Sequence, residues 1–341
     1  MLEPMTDSER EPLLPPPAPA APPAAAPVTL TLAFKPPYDW NALIGFLEPR
    51  AIPGVECVRS GAYLRTIALG GARGWLSVRP AESAAALLAT IQFPHPAALP
   101  LIAGRIRHLF DLDADPALIA EKLSADPMMA RLAAARPGLR VPGAWDAFEL
   151  AVRAILGQQV SVARATILAG KLVALSGTAL PRASAAPFDV LTHLFPRPGA
   201  VAAIADPKTP PGVAMGVALG MPRARAASIT ALAQAVGADP DLLAPAETLD
   251  RSVARLRALP GIGEWTAQYI AMRALHWSDA FPHSDIGLIR ALQTGERRPT
   301  PEEVLARAHA WRPWRAYAAL HLWFSDSATA RLTGPERGNA G

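Results

Sequence analysis

The segment Leu259-Pro260-Gly261-Ile262-Gly263 constrains this chain more than any other. Helical spacing runs up to it through Leu249–Leu259 and resumes in Glu264–Met272. Pro260 stops the first helix, because its ring removes a backbone donor and clashes with the turn before it. Gly261 and Gly263 permit a tight turn and the close approach of another backbone. Ile262 between them would anchor the turn in a core. The second helix then starts with N–H groups that have no partner in the chain, a ready site for an anion such as phosphate. An ordinary packing corner with glycines for steric reasons would read the same over these five residues alone.

The rest of the pattern places this hairpin in a mainly α chain with an N-terminal α+β domain. Residues 1–27 hold nine prolines and a run of alanines and read as a disordered polyproline-type tail. Val28–Phe34, Ala62–Leu69 and Trp75–Val78 read as strands, the last two joined by Gly-Gly-Ala-Arg-Gly, and Ala86–Phe93 fits a fourth. Asp39–Leu47 has helical spacing. This gives a sheet domain over 28–100, a helical region over 101–332 and a flexible tail over 333–341. Within the helical region Ala144–Gly157 and Val162–Leu175 read as helices, and Asp189–Pro211 as irregular. Thr300-Pro301-Glu302-Glu303 reads as a capping box with proline at the first helical position.

Composition narrows the class. The 341 residues are 51% apolar, enough for roughly two domains with real cores. No run approaches the ~18 uninterrupted apolar residues of a membrane span. A lone cysteine, Cys57, excludes an internal disulfide framework or a four-cysteine iron–sulfur cluster within the chain, and the seven histidines show no HExxH. The N-terminus lacks the apolar region of a secretory signal. We therefore expect a cytoplasmic protein without membrane contact, metal or other cofactor. The net charge is +4, and residues 251–341 carry 12 Arg and no Lys against 8 acidic residues. The whole positive excess thus lies in the last quarter, around the hairpin, in the residue type suited to bidentate phosphate contact.

Flanking motifs give the hairpin its meaning. LPGIGEWTA with a helix on each side resembles the helix–hairpin–helix of DNA repair glycosylases. Phe281-Pro282-His283-Ser284-Asp285-Ile286-Gly287, with Asp285 twenty-two residues after Gly263, resembles the loop that carries their catalytic aspartate. Arg136–Arg140, Ala147–Val162, Leu219–Pro222 and Trp311–Arg315 are similar to the 3-methyladenine DNA glycosylase II (AlkA) group. So are Pro37–Trp40 and Gly45-Phe46-Leu47. The likeness is colinear from about Leu30 to Phe324.

The resemblance implies the fold of the helix–hairpin–helix glycosylases, with two helical subdomains and a cleft between them over 101–332, and a monomer acting on double-stranded DNA at the nucleoid, in base excision repair. Such an enzyme flips its target nucleotide out of the stack. A carboxylate beside C1′ then stabilises the oxocarbenium-like transition state and orients or deprotonates water. Asp285 takes that role by motif position, though it is equally suited to cap Ile286–Leu292; Ser284 could cap while Asp285 faces the cleft. Trp265 and Tyr269, four apart on one helix face, would with Trp323 and Phe46 hold an alkylated purine such as 3-methyladenine or 7-methylguanine. Any one of these aromatics could instead be core. Gly261, Gly263 and Thr266 would meet DNA, and Gln159 would stand where the family has an apolar wedge. Ile286 replaces an aromatic after the aspartate. Relatives that also nick DNA carry a lysine where this chain has Trp265, and no lysine follows Lys208, which implies a glycosylase without lyase activity. Two other readings stay open: a non-catalytic DNA-binding protein, against which Asp285 argues, and a glycosylase for deaminated or mispaired bases.

Overall fold

A computed structural model describes residues 26–180, 189–206 and 208–325. The expected tails over 1–27 and 333–341 fall outside them, apart from the last two residues of the first. The N-terminal sheet has five antiparallel strands: β1 (Val28–Ala33), β2 (Glu56–Arg59), β3 (Ala62–Leu69), β4 (Ala72–Pro80) and β5 (Ala86–Gln92). Their order is β1-β5-β4-β3-β2. Leu69 pairs with Ala72, so the connection of β3 to β4 is only Gly70-Gly71, with φ of +56° and +84°. Such a two-residue turn needs left-handed backbone at both positions, which glycine supplies. The Ala-Arg-Gly that follows, read as loop from its composition, is strand.

β2 has no apolar alternation to announce it. It exists because Glu56 is buried in a charge network: the Tyr63 hydroxyl donates to it, and Arg153 reaches it at 2.5 Å. Arg65 and Arg153 also hold Glu149, at 2.8 and 2.9 Å. These ion pairs join the sheet to the helical region. Removing one partner from such a buried set costs about 3–5 kcal/mol.

α1 (Trp40–Leu47) and α2 (Leu99–Leu109) cover one face of the sheet. Trp40, Leu43, Leu47, Ile102 and Ile106 pack there on Tyr63, Ile67, Leu76, Leu87 and Ile91. That core runs on past residue 100 through Phe110, Leu112 and Trp145. The opposite face buries Leu64 and Trp75 against Leu191. Burial on both faces explains why β3 is apolar at nearly every position.

The helices that follow are α3 (Pro116–Leu123), α4 (Pro127–Ala135), α5 (Ala147–Leu156), α6 (Val162–Ser176), α7 (Pro198–Ala202), α8 (Val213–Leu219) and α9 (Arg223–Ala238). Then come α10 (Leu249–Arg257), α11 (Glu264–Arg273), α12 (Ile286–Ala291), α13 (Pro301–Ala308) and α14 (Arg315–Ser325). Short strands β6 (Thr178–Ala179) and β7 (His193–Leu194) pair between α6 and α7. The proline-rich stretch expected to be irregular thus holds a strand and a helix. Pro198 stands at the first helical position, where its fixed φ favours a start rather than a break. The capping box at Thr300 forms as expected. α11 packs against α5 and α10, and α12 against α13 and α14, around one large apolar core. Among the described residues no helix is long and apolar enough to cross a membrane.

Candidate active site

The hairpin joins α10 to α11. Gly261 has φ +77°, and a β-carbon there would lie 1.9 Å from the Ser228 hydroxyl of α9. Both the backbone angle and the close approach require glycine. Gly263 differs: its φ is −83°, and a β-carbon on it would meet nothing within 4 Å. It caps α11 without a side-chain partner, so the first-turn N–H groups are left without a side-chain acceptor at this cap. Ile262 is buried, as expected of the anchor. Arg257 and Glu264 pair across the turn at 3.0 Å.

α11 also builds the aspartate loop. Gln268 accepts from the Phe281 backbone N–H at 3.0 Å, and Asp285 N–H donates to the Pro282 carbonyl at 2.8 Å. Asp285 is itself the cap of α12: Oδ1 accepts from the N–H groups of Gly287 (2.8 Å) and Leu288 (3.2 Å). The division of labour considered from sequence, with Ser284 capping, does not occur. One carboxylate caps and is gripped by both tryptophans. Trp323 Nε1 donates to Oδ1 at 2.9 Å and Trp265 Nε1 to Oδ2 at 2.8 Å. No cationic side chain pairs with Asp285 among the described residues. Every donor to it is neutral, so no internal cation competes for the carboxylate with one arriving from outside.

The aromatic residues converge on this carboxylate. Trp265 and Tyr269 stack with centroids 5.2 Å apart and planes 10° apart. Tyr269 lies 6.4 Å from Trp323 at 59°. Phe46 and Trp323 each pack against a small apolar cluster that includes Leu139 and Phe324. Gly287 admits Trp323: a β-carbon there would lie 3.1 Å from Trp323 Cδ1 and 3.0 Å from Asp285 Oδ1. Arg273 donates to the Tyr269 hydroxyl at 2.7 Å. Burial works to raise the Tyr269 phenol, but Arg273, Arg50 and Arg153 together outweigh it and leave its pKa below the usual tyrosine value.

The turn between α5 and α6 meets the hairpin. Gln158 Nε2 donates to the Gly261 carbonyl and to the Thr266 hydroxyl, each at 3.0 Å. Thr266, expected as a DNA contact, is only 3% exposed, with its hydroxyl committed to Gln158. Its backbone N–H in the first turn of α11 is what it can offer outside. Gln159 is exposed, with φ +56°. A left-handed non-glycine residue costs about 1 kcal/mol and marks sites held for a purpose. Ile286 is 66% exposed next to Asp285. Sequence reasoning missed Gln158, Gly287, Arg50 and Arg273. The repeated glutamine at the end of α5 was the only local signal for the first.

A family model described as the AlkA N-terminal domain matches residues 29–146. The DNA-3-methyladenine glycosylase 2 of Escherichia coli K12 is 38% identical over 300 residues, 87% of this chain and 97% of that protein. This chain belongs to the AlkA family. A second AlkA relative, from Mycobacterium tuberculosis H37Rv, is described as a probable bifunctional transcriptional activator/DNA repair enzyme. It is 39% identical over 88% of this chain, and the match spans only 57% of its own length. Solved structures share the fold. A 3-methyladenine DNA glycosylase from Archaeoglobus fulgidus superposes with a TM-score of 0.73 at 21% identity, over 87% of this chain and 98% of that one. An 8-oxoguanine glycosylase/lyase from Clostridium acetobutylicum, solved with double-stranded DNA, gives 0.62 at 14% identity, over 82% and 89%.

Proposed function

We propose that this AlkA-family protein is a monofunctional DNA glycosylase. It excises alkylated purines, 3-methyladenine and 7-methylguanine, from double-stranded DNA in base excision repair. The observation that carries the reading is Asp285, held between the indole N–H groups of Trp265 and Trp323, with Trp265 in the first turn of a helix that has no side-chain cap. The first-turn amides of α11 at Gly263 grip a backbone phosphate without reading sequence. Gln159 enters the duplex and fills the space of the flipped nucleotide, its amide meeting the orphaned partner base. The base stacks among Trp265, Tyr269, Trp323 and Phe46. The glycosidic bond breaks with its electron pair leaving on the base. The Asp285 carboxylate stabilises the positive sugar and takes the proton of the water that adds to C1′. The protein acts on chromosomal DNA in the cytoplasm as a monomer and uses no cofactor.

Mass spectrometry of free bases released from methylated duplex DNA, in EDTA, tests this. The wild type should release 3-methyladenine and 7-methylguanine. Asp285→Asn should cut release on the order of a hundredfold or more, the scale set by losing one electrostatic transition-state contact. Its DNA affinity should be equal or higher, because a negative charge near phosphates is gone. Binding without release by the wild type would favour a non-catalytic DNA-binding protein.

A further inference from the structure

The aromatic pocket is backed by two arginines that no carboxylate neutralises. Arg65, Arg153 and Arg315 are each paired with acidic side chains. Arg50 and Arg273 have no such partner among the described residues. Arg273 is 5% exposed and is fixed by the Pro142 and Gly143 carbonyls at 2.7 and 3.1 Å. Its third direction is the Tyr269 hydroxyl. Arg50 donates to the Phe46 carbonyl at 2.8 Å and lies over the Phe46 ring, 3.7 Å from its centroid. Arg273 lies 4.9 Å from the same centroid and 5.4 Å from that of Tyr269. The guanidiniums therefore already engage the π-systems of two residues that would wall a base. Little of that cation attraction is left for a positively charged nucleobase. Tyr269 transmits the same field, its phenol being made more acidic by these cations.

We propose that Arg50 and Arg273 make the inner end of the base pocket electropositive, so that the site accelerates departure of neutral purine lesions, which leave as anions, more than of cationic ones. The inference rests on the reading of the Asp285 cleft as a base-excision site. In either case the C1′–N bond breaks heterolytically and its electron pair stays on the base. A neutral lesion such as hypoxanthine then departs with a negative charge and later takes a proton from water. A 7-methylguanine cation is repelled by the arginines as it enters the pocket and departs neutral, so the relief on bond cleavage only repays that repulsion, and relative to the stacked duplex it gains nothing from them. Water adds to C1′ in both, losing its proton to Asp285. Cationic lesions are still released, because their bond is already weakened. Their selection is by lability and fit rather than by charge. Arg273, buried and tied to two carbonyls, is a positioning residue for Tyr269, whereas Arg50 is the accessible half of the pair.

The test is single-turnover release at subsaturating enzyme, which refers the rate to free protein and stacked duplex, from duplexes holding one hypoxanthine or one 7-methylguanine, each rate divided by its spontaneous rate. The wild-type acceleration should be larger for hypoxanthine. Arg50→Met should lower the hypoxanthine-to-7-methylguanine ratio at least tenfold, and Arg50→Lys should keep the ratio within about threefold of wild type. Arg50→Gln serves as a second neutral variant if the methionine protein folds poorly. A larger wild-type acceleration for 7-methylguanine, or an unchanged ratio in the neutral variants, would overturn the proposal. So would equal loss of the ratio in Arg50→Lys. These outcomes are separate from failure of the function itself, in which the wild type releases neither base.

Discussion

Gly287 and Trp323 fit together as gap and filler: the missing β-carbon of one leaves room for the indole edge of the other. Through that fit Trp323 reaches Asp285 Oδ1 at 2.9 Å. Gly287→Ala should push the indole by a few tenths of an ångström and loosen the carboxylate. We expect base release to fall about tenfold, in line with the steep cost of misplacing a reacting group. Binding to undamaged duplex should not change, and comparing single-turnover rates with Kd checks the split.

The two hairpin glycines serve different masters. Gly261→Val forces a β-branched side chain into positive φ and onto Ser228, so it should destabilise the fold by several kcal/mol and lower Tm. Gly263→Val meets open space in the protein. Its Tm should move by a degree or two, while affinity for damaged and undamaged duplexes should fall together. Equal affinity for DNA in that variant would remove the hairpin as the phosphate grip.

Borohydride added during turnover should trap no protein–DNA adduct, and the abasic strand should stay whole until heat or alkali is applied. Schiff-base chemistry needs an amine near C1′. In the proposed reading Trp265 takes the place such an amine would need, with its N–H bound to Asp285. Lys35 is paired with Asp115, and Lys171 donates to the Leu219 carbonyl. An adduct lost on changing Lys35, Lys122, Lys171 or Lys208 to Arg would show lyase activity.

Acid should weaken the fold through His321 and His108, whose folded-state values are lowered. Burial pushes His321 down to about 4, with Arg136 adding to the effect. The unfolded chain takes up that proton near the ordinary 6.5, and the folded chain only near 4. Stability is therefore intact above 6.5 and falls as pH drops towards 4, by up to about 1.4 kcal/mol per unit for one group. His108 is likewise held near 4, by burial and the neighbouring His276. His321→Leu should flatten the acid limb by one proton, read from urea unfolding at pH 7 and pH 5.

The parts legible in sequence are those whose signal is local. The hairpin's glycines, the capping box at Thr300 and the strand Ala62–Leu69 announce themselves through backbone demands and periodicity. The charged strand at Glu56–Arg59 does not, because what makes it a strand is Arg153, 97 residues away. Asp285 was legible as a motif, yet its double grip by Trp265 and Trp323 depends on packing between α11 and α14. Arg50 and Arg273 left no trace, since nothing in a sequence says that an arginine will lack a carboxylate. The partner that holds the Thr266 hydroxyl, Gln158, lies on another helix end and was equally out of reach of the sequence.

That glutamine has a mechanical consequence. One amide holds both the carbonyl of Gly261 and the hydroxyl of Thr266, so the tip bearing Gln159 cannot slide relative to the hairpin. With the hairpin as the proposed grip and Gln159 as the proposed probe, the two behave like the points of a caliper locked at one span. Such a tool inspects the base pair at a fixed offset from the phosphate it holds. It can reach the next pair only by letting go and moving as a whole, so release of the grip would set the pace of its search along undamaged DNA.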